Sequence, residues 1–282
     1  MSIKQKFFHW LNGIPSDEYL VKLERDKDVK RLIKILPGYG YSDAAAALGR
    51  LRAKEAVQPM LDLLPTRDLF ARYAFIDALG EIGDPRALPA IRNALIDEDH
   101  TVRSSAGNAI VKIQSNSSSD ESTSQNIESL IAILINNKYN WEIRGNAATT
   151  LSKLGKSAVN PLCKILTHYD SEVRWQSAEA LGIIKDKQSL ESLIPLLNDS
   201  NQVVQMHAAI AIGKLGNKKG ISILVKQLNN FTGYVLWDAI DLLGDFQDPI
   251  AIDPLNKMLN DSNKKTREKA AMALEKIAKI QS

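Results

Sequence analysis

Residues able to carry out chemistry are few in this chain and do not cluster in the sequence. The single cysteine, Cys163, excludes an internal disulfide, and its apolar sequence neighbours predict a buried structural thiol. No spacing typical of a zinc site, a phosphate-binding glycine loop or a nucleophile elbow occurs. The sequence therefore predicts no catalytic residue, no metal and no cofactor, and it favours a protein that is not an enzyme. The histidines, none of them followed by Glu, are His9, His100, His168 and His207.

A more informative pattern is a stripe of large side chains at positions where helical periodicity predicts solvent. Trp175, Met206 and Trp237 follow one another at intervals of 31 residues, and carboxylates accompany them. Aromatic anchors flanked by polar groups are typical of a binding site for a protein or a ligand. The alternative is that these side chains fold over the neighbouring helix as peripheral core. The predicted partner-binding residues are Trp175, Glu179, Met206, His207, Ile210, Trp237, Asp238 and Asp241.

Arginines recur at equivalent positions and could form an anion-binding ladder. We favour a structural role, in which each guanidinium bonds carboxylates or carbonyl groups of the adjoining turns. Gln205 and Leu236 replace the arginine in two successive copies. The arginines are Arg72, Arg103, Arg144, Arg174 and Arg267.

The elements that must position these residues follow from an internal repeat. Eight related tripeptides, typified by Ala180-Leu181-Gly182, have third residues separated by 31, 31, 41, 30, 31, 31 and 31 positions. Asp, Asn or Thr precedes seven of them at a fixed distance, which predicts capped helices of about twelve residues ending near the glycine. A further helix fits between successive copies. It is the first helix of each repeat, and the capped helix that contains the tripeptide is the second. Residues 28–282 therefore form about eight two-helix units, and because one unit cannot bury its apolar face alone, we predict an all-α solenoid.

The one long interval contains the Ser-rich segment 115–126. Such a polar composition cannot bury a core, so the segment is predicted to be a loop inserted into one repeat.

The motif Asp170–Arg174, completed by Ala178–Gly182, resembles the short HEAT-like repeat of phycobilisome lyases. The linker Gly80–Leu88 is similar to the turn between repeats in that family, and the resemblance covers about residues 28–280. It implies that the second helix of each repeat lines a concave face. The HEAT-repeat iron enzyme deoxyhypusine hydroxylase binds metal through His-Glu dipeptides, and their absence here argues against that activity.

Residues 1–27 are predicted to cap the first repeat, because the ends of a solenoid must be shielded. A helix lying on a membrane surface is the alternative for this segment. The net charge of +3 is too small to indicate nucleic acid, and no apolar run approaches the ~20 residues that span a bilayer. No signal peptide is evident, so the expected location is the cytoplasm. The apolar residues of the capping segment are Ile3, Phe7, Phe8, Trp10 and Leu11.

Two functions fit these observations. The first is a non-catalytic scaffold that binds another protein along its concave face. The alternative is a subunit of a bilin lyase or another tetrapyrrole-handling factor, whose tryptophan-rich groove would hold an apolar, carboxylated pigment. A pigment needs cationic partners for its propionates, whereas Glu179, Asp238 and Asp241 make the predicted groove acidic. That charge favours a protein partner.

Overall fold

The computed structural model describes residues 15–66, 68–116 and 120–281, and within these ranges the chain is helical, with no strand. The predicted all-α solenoid is confirmed. The apolar side chains of the N-terminal segment, from Ile3 to Leu11, lie outside the described residues. The helices group into two compact units, Met1–Thr150 and Leu151–Ser282. None of the helices in the described ranges has the length and apolar content that crossing a bilayer requires.

In the first unit, α1 packs on the two helices that follow it, and Leu20 and Leu23 of α1 are buried there. After α2, the longer second helices α3, α5 and α7 lie side by side, with the shorter first helices between them in the chain. The helices are α1 (Asp17–Arg25), α2 (Val29–Ile35), α3 (Tyr41–Arg50), α4 (Val57–Leu63), α5 (Leu69–Ile82), α6 (Leu88–Ala94), α7 (His100–Asn116), α8 (Asp120–Ile135) and α9 (Trp141–Leu154), which ends in the second unit.

The second unit has the same organisation, and each of its short first helices is entered through a 3₁₀ turn. The second helices α11, α13, α15 and α17 pack in that order, each against the next. The helices are α10 (Val159–Lys164), α11 (Ser171–Ile184), α12 (Leu190–Leu193), α13 (Gln202–Lys214), α14 (Ile221–Gln227), α15 (Gly233–Phe246), α16 (Ile252–Met258) and α17 (Lys264–Gln281).

The predicted N-caps are confirmed at the polar positions that begin the second helices. Asp170 accepts a hydrogen bond from the backbone N–H of Glu172 at 2.9 Å, and Asp68 accepts one from Ala71 at 3.0 Å. These bonds satisfy amide groups that a helix leaves free at its start. Thr232 is the exception, because its side chain makes no capping bond to α15. The other capping side chains are Asp99, Asn140, Asn201 and Asn263.

The second helices end one or two residues after the glycines of the repeated tripeptides, as predicted, but the glycines are not the C-terminal stops that the sequence suggested. Gly182 lies inside α11, and a Cβ atom there would stand 2.9 Å from Cα of Ala211 on α13. Glycine is therefore required by the close approach of two helices rather than by a turn. The helix ends two residues later at Ile184, and its C-cap residue Lys185 has a φ of 57°, in the left-handed region. The same close contact is made by Gly80 with Ala109 and by Gly244 with Ala273.

The segment 115–126 is not a loop over the residues that the structure describes. It continues α7 to Asn116 and begins α8 at Asp120, while residues 117–119 lie outside the described ranges. Asn126 is fully buried, accepts a hydrogen bond from Arg92 Nε at 2.7 Å and donates one to Gln114 Oε1 at 3.2 Å. The loop prediction failed because these partners satisfy the buried amide, and because extending a helix adds one backbone bond per residue.

Candidate functional site

The predicted site falls on three successive second helices of the second unit, and the middle helix, α13, is buried on nearly every side. Met206 is 0% exposed and Ile210 is 6% exposed, and both belong to an apolar cluster with Leu236 and Ile240 of α15. The expectation that Met206 and Ile210 face solvent is wrong. Because neighbouring elements cover both faces of α13, neither side chain can contact a partner.

Trp175 and Trp237 are half-buried, and each lies over the next second helix. The ring of Trp175 on α11 packs against the ring of His207 on α13, with centroids 4.7 Å apart. Trp237 on α15 donates from Nε1 to Thr266 Oγ1 at 3.1 Å, and Lys265 Nζ stands 4.1 Å from the centre of its ring. The two tryptophans therefore fold over their neighbours, as the peripheral-core alternative describes, while part of each indole remains accessible.

Polar side chains of α11, α13 and α15 meet beside the buried core of α13. Lys214 Nζ lies 2.6 Å from Asp238 Oδ2, and Tyr234 is hydrogen-bonded to Glu179. With His207 these residues line a small cleft of about 10 Å³. That volume accommodates about one water molecule.

The cleft changes the acidity of three of its side chains. The pKa of His207 is lowered from 6.5 to about 4, mainly by burial and also by the Lys214 cation, while Asp238 opposes the change. Burial likewise raises the pKa of Glu179, and the pKa of Tyr234 is raised by burial and by the neighbouring Glu179 carboxylate. His207 is therefore neutral at pH 7 and packs as an aromatic ring.

The predicted acidic groove is not observed, because lysines of the neighbouring second helices compensate two of the carboxylates. Asp238 is paired with Lys214 of α13, and Asp241 is paired with Lys269 of α17. The sequence pattern places the carboxylates on the helix face, but it does not show the long lysine side chains that reach them from the helices on either side. The charge argument that favoured a protein over a pigment is therefore wrong.

Tyr234 is a site residue that the sequence pattern missed. Its side chain is 56% exposed in the first turn of α15, next to the polar cleft. The residues of the stripe on α15, Trp237 and Asp241, lie one and five residues after Leu236 at the arginine site, whereas Tyr234 precedes that site by two. Its signal in the sequence is an aromatic residue directly after the weak cap Thr232 and Gly233.

The repeated arginines stabilise the turns within the repeats, and the structural interpretation is confirmed. Arg174 binds both oxygens of Asp199, at 2.7 and 2.8 Å, and donates to the carbonyl oxygens of His168 and Tyr169. Where glutamine replaces arginine, Gln205 donates to the carbonyl of Asp199 at 2.6 Å. Such bidentate and carbonyl bonds leave no guanidinium ladder free for anions.

Neither a metal centre nor an activated thiol emerges from the described part of the chain. No three of its His, Cys, Asp and Glu side chains are grouped so as to hold a metal ion. Cys163 is half-buried rather than fully buried, and burial raises the pKa of its thiol. A raised thiol pKa lowers the fraction of reactive thiolate at neutral pH.

The repeats, their caps and the packing of the second helices define an α-solenoid built to present a helical face. The HEAT repeat family profile matches residues 29–111, 127–213 and 221–282. The chain belongs to the HEAT repeat family. No curated protein sequence matches it significantly.

Solved structures of HEAT and related repeat proteins share this fold. Kap95p, solved with RanGDP, is 15% identical with a TM-score of 0.61, and the match covers 84% of this chain and 38% of Kap95p. YibA of E. coli is 19% identical with a TM-score of 0.51, and the match covers 99% and 97% of the two chains. The CpcE–CpcF phycocyanin lyase of Nostoc sp. PCC7120 is 22% identical, with a TM-score of 0.45 and coverage of 80% and 88%. At these identities the likeness shows the fold alone.

Proposed function

We propose that this protein is a non-catalytic scaffold that binds another protein on the face formed by α11, α13 and α15. The HEAT fold supports a role in protein interaction, and Kap95p, a structure of similar fold, binds RanGDP. The resemblance to HEAT-like repeats implies that this face is concave. The observation that carries the proposal is a group of three accessible aromatic side chains at one polar cleft. Tyr234 lines the cleft, Trp175 packs on the ring of its His207, and Trp237 precedes its Asp238 in the chain.

These three side chains have the properties of interface anchors. Aromatic residues supply a large contact area, and the hydroxyl of Tyr234 and the indoles are already oriented by bonds or packing within the protein. Because they are held in place before binding, little rotamer entropy is lost when a partner covers them. Glu179, Asp238 and Asp241 form the polar surroundings of the anchors, and His207 supports Trp175 from below.

The tetrapyrrole alternative gains no support at this face. A bilin needs an apolar cavity of several hundred Å³, whereas the cleft lined by Glu179, His207 and Tyr234 holds about 10 Å³. The proposal therefore keeps the protein partner.

The test is capture of partners from a native lysate of the source organism by the wild-type chain and by a Tyr234→Ala/Trp237→Ala variant. Tyr169→Ala is the matched control, because Tyr169 is 78% exposed in the same unit but lies in a turn away from the cleft. We expect proteins retained by the wild type and the control to fall at least tenfold in the double variant, as for truncated anchors. Thermal unfolding of all three preparations checks folding.

An unchanged set of captured proteins in the double variant would contradict the proposal. A stability loss of about 3–5 kcal/mol per residue, typical of truncating buried aromatic side chains, would also contradict it by placing both residues in the core.

A further inference from the structure

Lysines lie along one edge of the second unit, in the connections between the second helix of one repeat and the first helix of the next. Lys156, Lys187 and Lys218 occupy equivalent positions 31 residues apart, each in the 3₁₀ turn that opens a repeat. Lys219 lies in the same turn as Lys218, and Lys185 directly follows α11, two residues before Lys187. All five side chains are exposed, and we refer to these five residues as the basic edge.

The positive charge of the basic edge is not compensated within the described part of the chain. None of its five ammonium groups is in an ion pair there, and Lys218 donates to the Phe246 carbonyl at 3.0 Å. The one carboxylate in these turns, Asp186, accepts the backbone N–H of Gln188. In the turn Asp84–Ala87 of the first unit, by contrast, Arg86 is paired with Asp84 at 2.8 Å.

We propose that the basic edge binds an extended acidic segment of a partner protein, as a second surface distinct from the face around Trp175. Successive turns of packed helices lie about 10 Å apart. An extended polyproline II segment advances about 9 Å in three residues. A segment with a carboxylate at every third residue thus places one acidic side chain at each turn.

The surroundings of the basic edge favour a peptide over single-stranded nucleic acid. All five cations are lysines, which act as point charges towards carboxylates and phosphates alike, so the neighbouring side chains decide between the two. The exposed aromatic residues of this unit, Tyr169 and Tyr234, lie at the opposite edge, where the second helices begin. The basic edge therefore has no exposed aromatic side chain, among the described residues, on which a base could stack. Ile183, half-exposed beside Lys185, offers an apolar contact suited to a peptide.

The test uses a fluorescent synthetic peptide of about twelve residues, enough to span three turns, with Glu at every third position and Pro and Ala between. A peptide with Gln in place of Glu is its control. Binding is followed by anisotropy at low ionic strength for the wild type, for Lys187→Glu/Lys218→Glu and for Lys226→Glu/Lys257→Glu. The last variant makes the same change of net charge on exposed first-helix positions. Circular dichroism establishes that each variant is folded.

We expect the acidic peptide to bind the wild type, the basic-edge variant to bind at least tenfold more weakly, and the control variant to stay within about twofold. Binding should weaken as salt is added. Equal losses in both variants, or no binding of the acidic peptide by the wild type, would overturn the proposal. Tighter binding of a single-stranded oligonucleotide than of the peptide, lost in the same variant, would overturn it in favour of nucleic acid. Because the face around Trp175 is unaltered in these variants, this result is independent of the proposed function.

Discussion

Replacing His207 by a residue that cannot be protonated should change how stability depends on pH. His207 is buried beneath Trp175, and burial lowers its pKa from 6.5 to about 4. Between pH 6.5 and about pH 4, His207 is therefore protonated in the unfolded chain but neutral in the folded chain. We expect the wild type to lose stability as pH falls through this window, and His207→Gln to lack that loss.

The magnitude follows from the difference between the two pKa values. Protons bind more readily to the unfolded state, so the free energy of unfolding rises with pH, and the full effect of one such histidine is about 3 kcal/mol. Glu179 acts in the opposite direction. Because burial raises its pKa, the folded chain holds that proton more tightly, and stability from this group is lost as pH rises. The comparison of two chains that both contain Glu179 isolates the histidine.

The assay is urea unfolding followed by circular dichroism, for the wild type and His207→Gln, at several values between pH 4 and pH 7.5. At pH 7.5 both side chains are neutral, so the difference there measures only the change in packing. Subtracting it leaves the titration of His207 at lower pH. A difference between the two chains that stays constant over the whole range would refute the reasoning, because His207 would then titrate alike in both states.

Three further substitutions test the packing. Gly182→Ala should destabilise the protein by about 1–3 kcal/mol, because the added methyl would stand 2.9 Å from Cα of Ala211. The control Gly38→Ala, where the nearest atom would be 3.7 Å away, should cost far less. Equal thermal midpoints of the two variants would contradict the close contact at Gly182. Asn126→Ala should cost about 1–3 kcal/mol in urea unfolding, because it removes a buried amide that bonds the half-buried Arg92 and Gln114. A neutral result would show that these bonds do not stabilise the segment. Arg174→Lys should lower the thermal midpoint, since lysine cannot make the bidentate bond; an unchanged midpoint would show that this bond contributes nothing.

The repeat, its caps and the fold class could be predicted from the sequence because they depend on local periodicity. A capping oxygen such as that of Asp170 acts within its own helix start, and an apolar seam of fixed period specifies the stacking of units. The role of the tripeptide glycines could not be read in this way. A glycine near a helix end satisfies the rule for a stop, and only the position of Ala211 on the next helix reveals the close contact at Gly182.

The candidate site was predicted less completely, for a related reason. Helical phase shows on which face of a helix a side chain lies, but it does not show whether neighbouring helices cover that face. Met206 was therefore expected in solvent and is buried. Long side chains add a second difficulty, because Lys214 and Lys269 reach carboxylates on other helices. Tyr234 was missed since it reaches Glu179 across an intervening helix, a contact that no period in the sequence encodes.

That bond between Tyr234 and Glu179 has a consequence for how the second unit comes apart. In a linear array where each repeat couples only to the next, a break at one junction leaves the others intact. The hydrogen bond between Glu179 on α11 and Tyr234 on α15 couples two repeats that are not adjacent. The contact between α11 and α13 and the contact between α13 and α15 should therefore break together. The segment from α11 to α15 should then unfold as one cooperative block, and unfolding that begins at α17 should stop at α15.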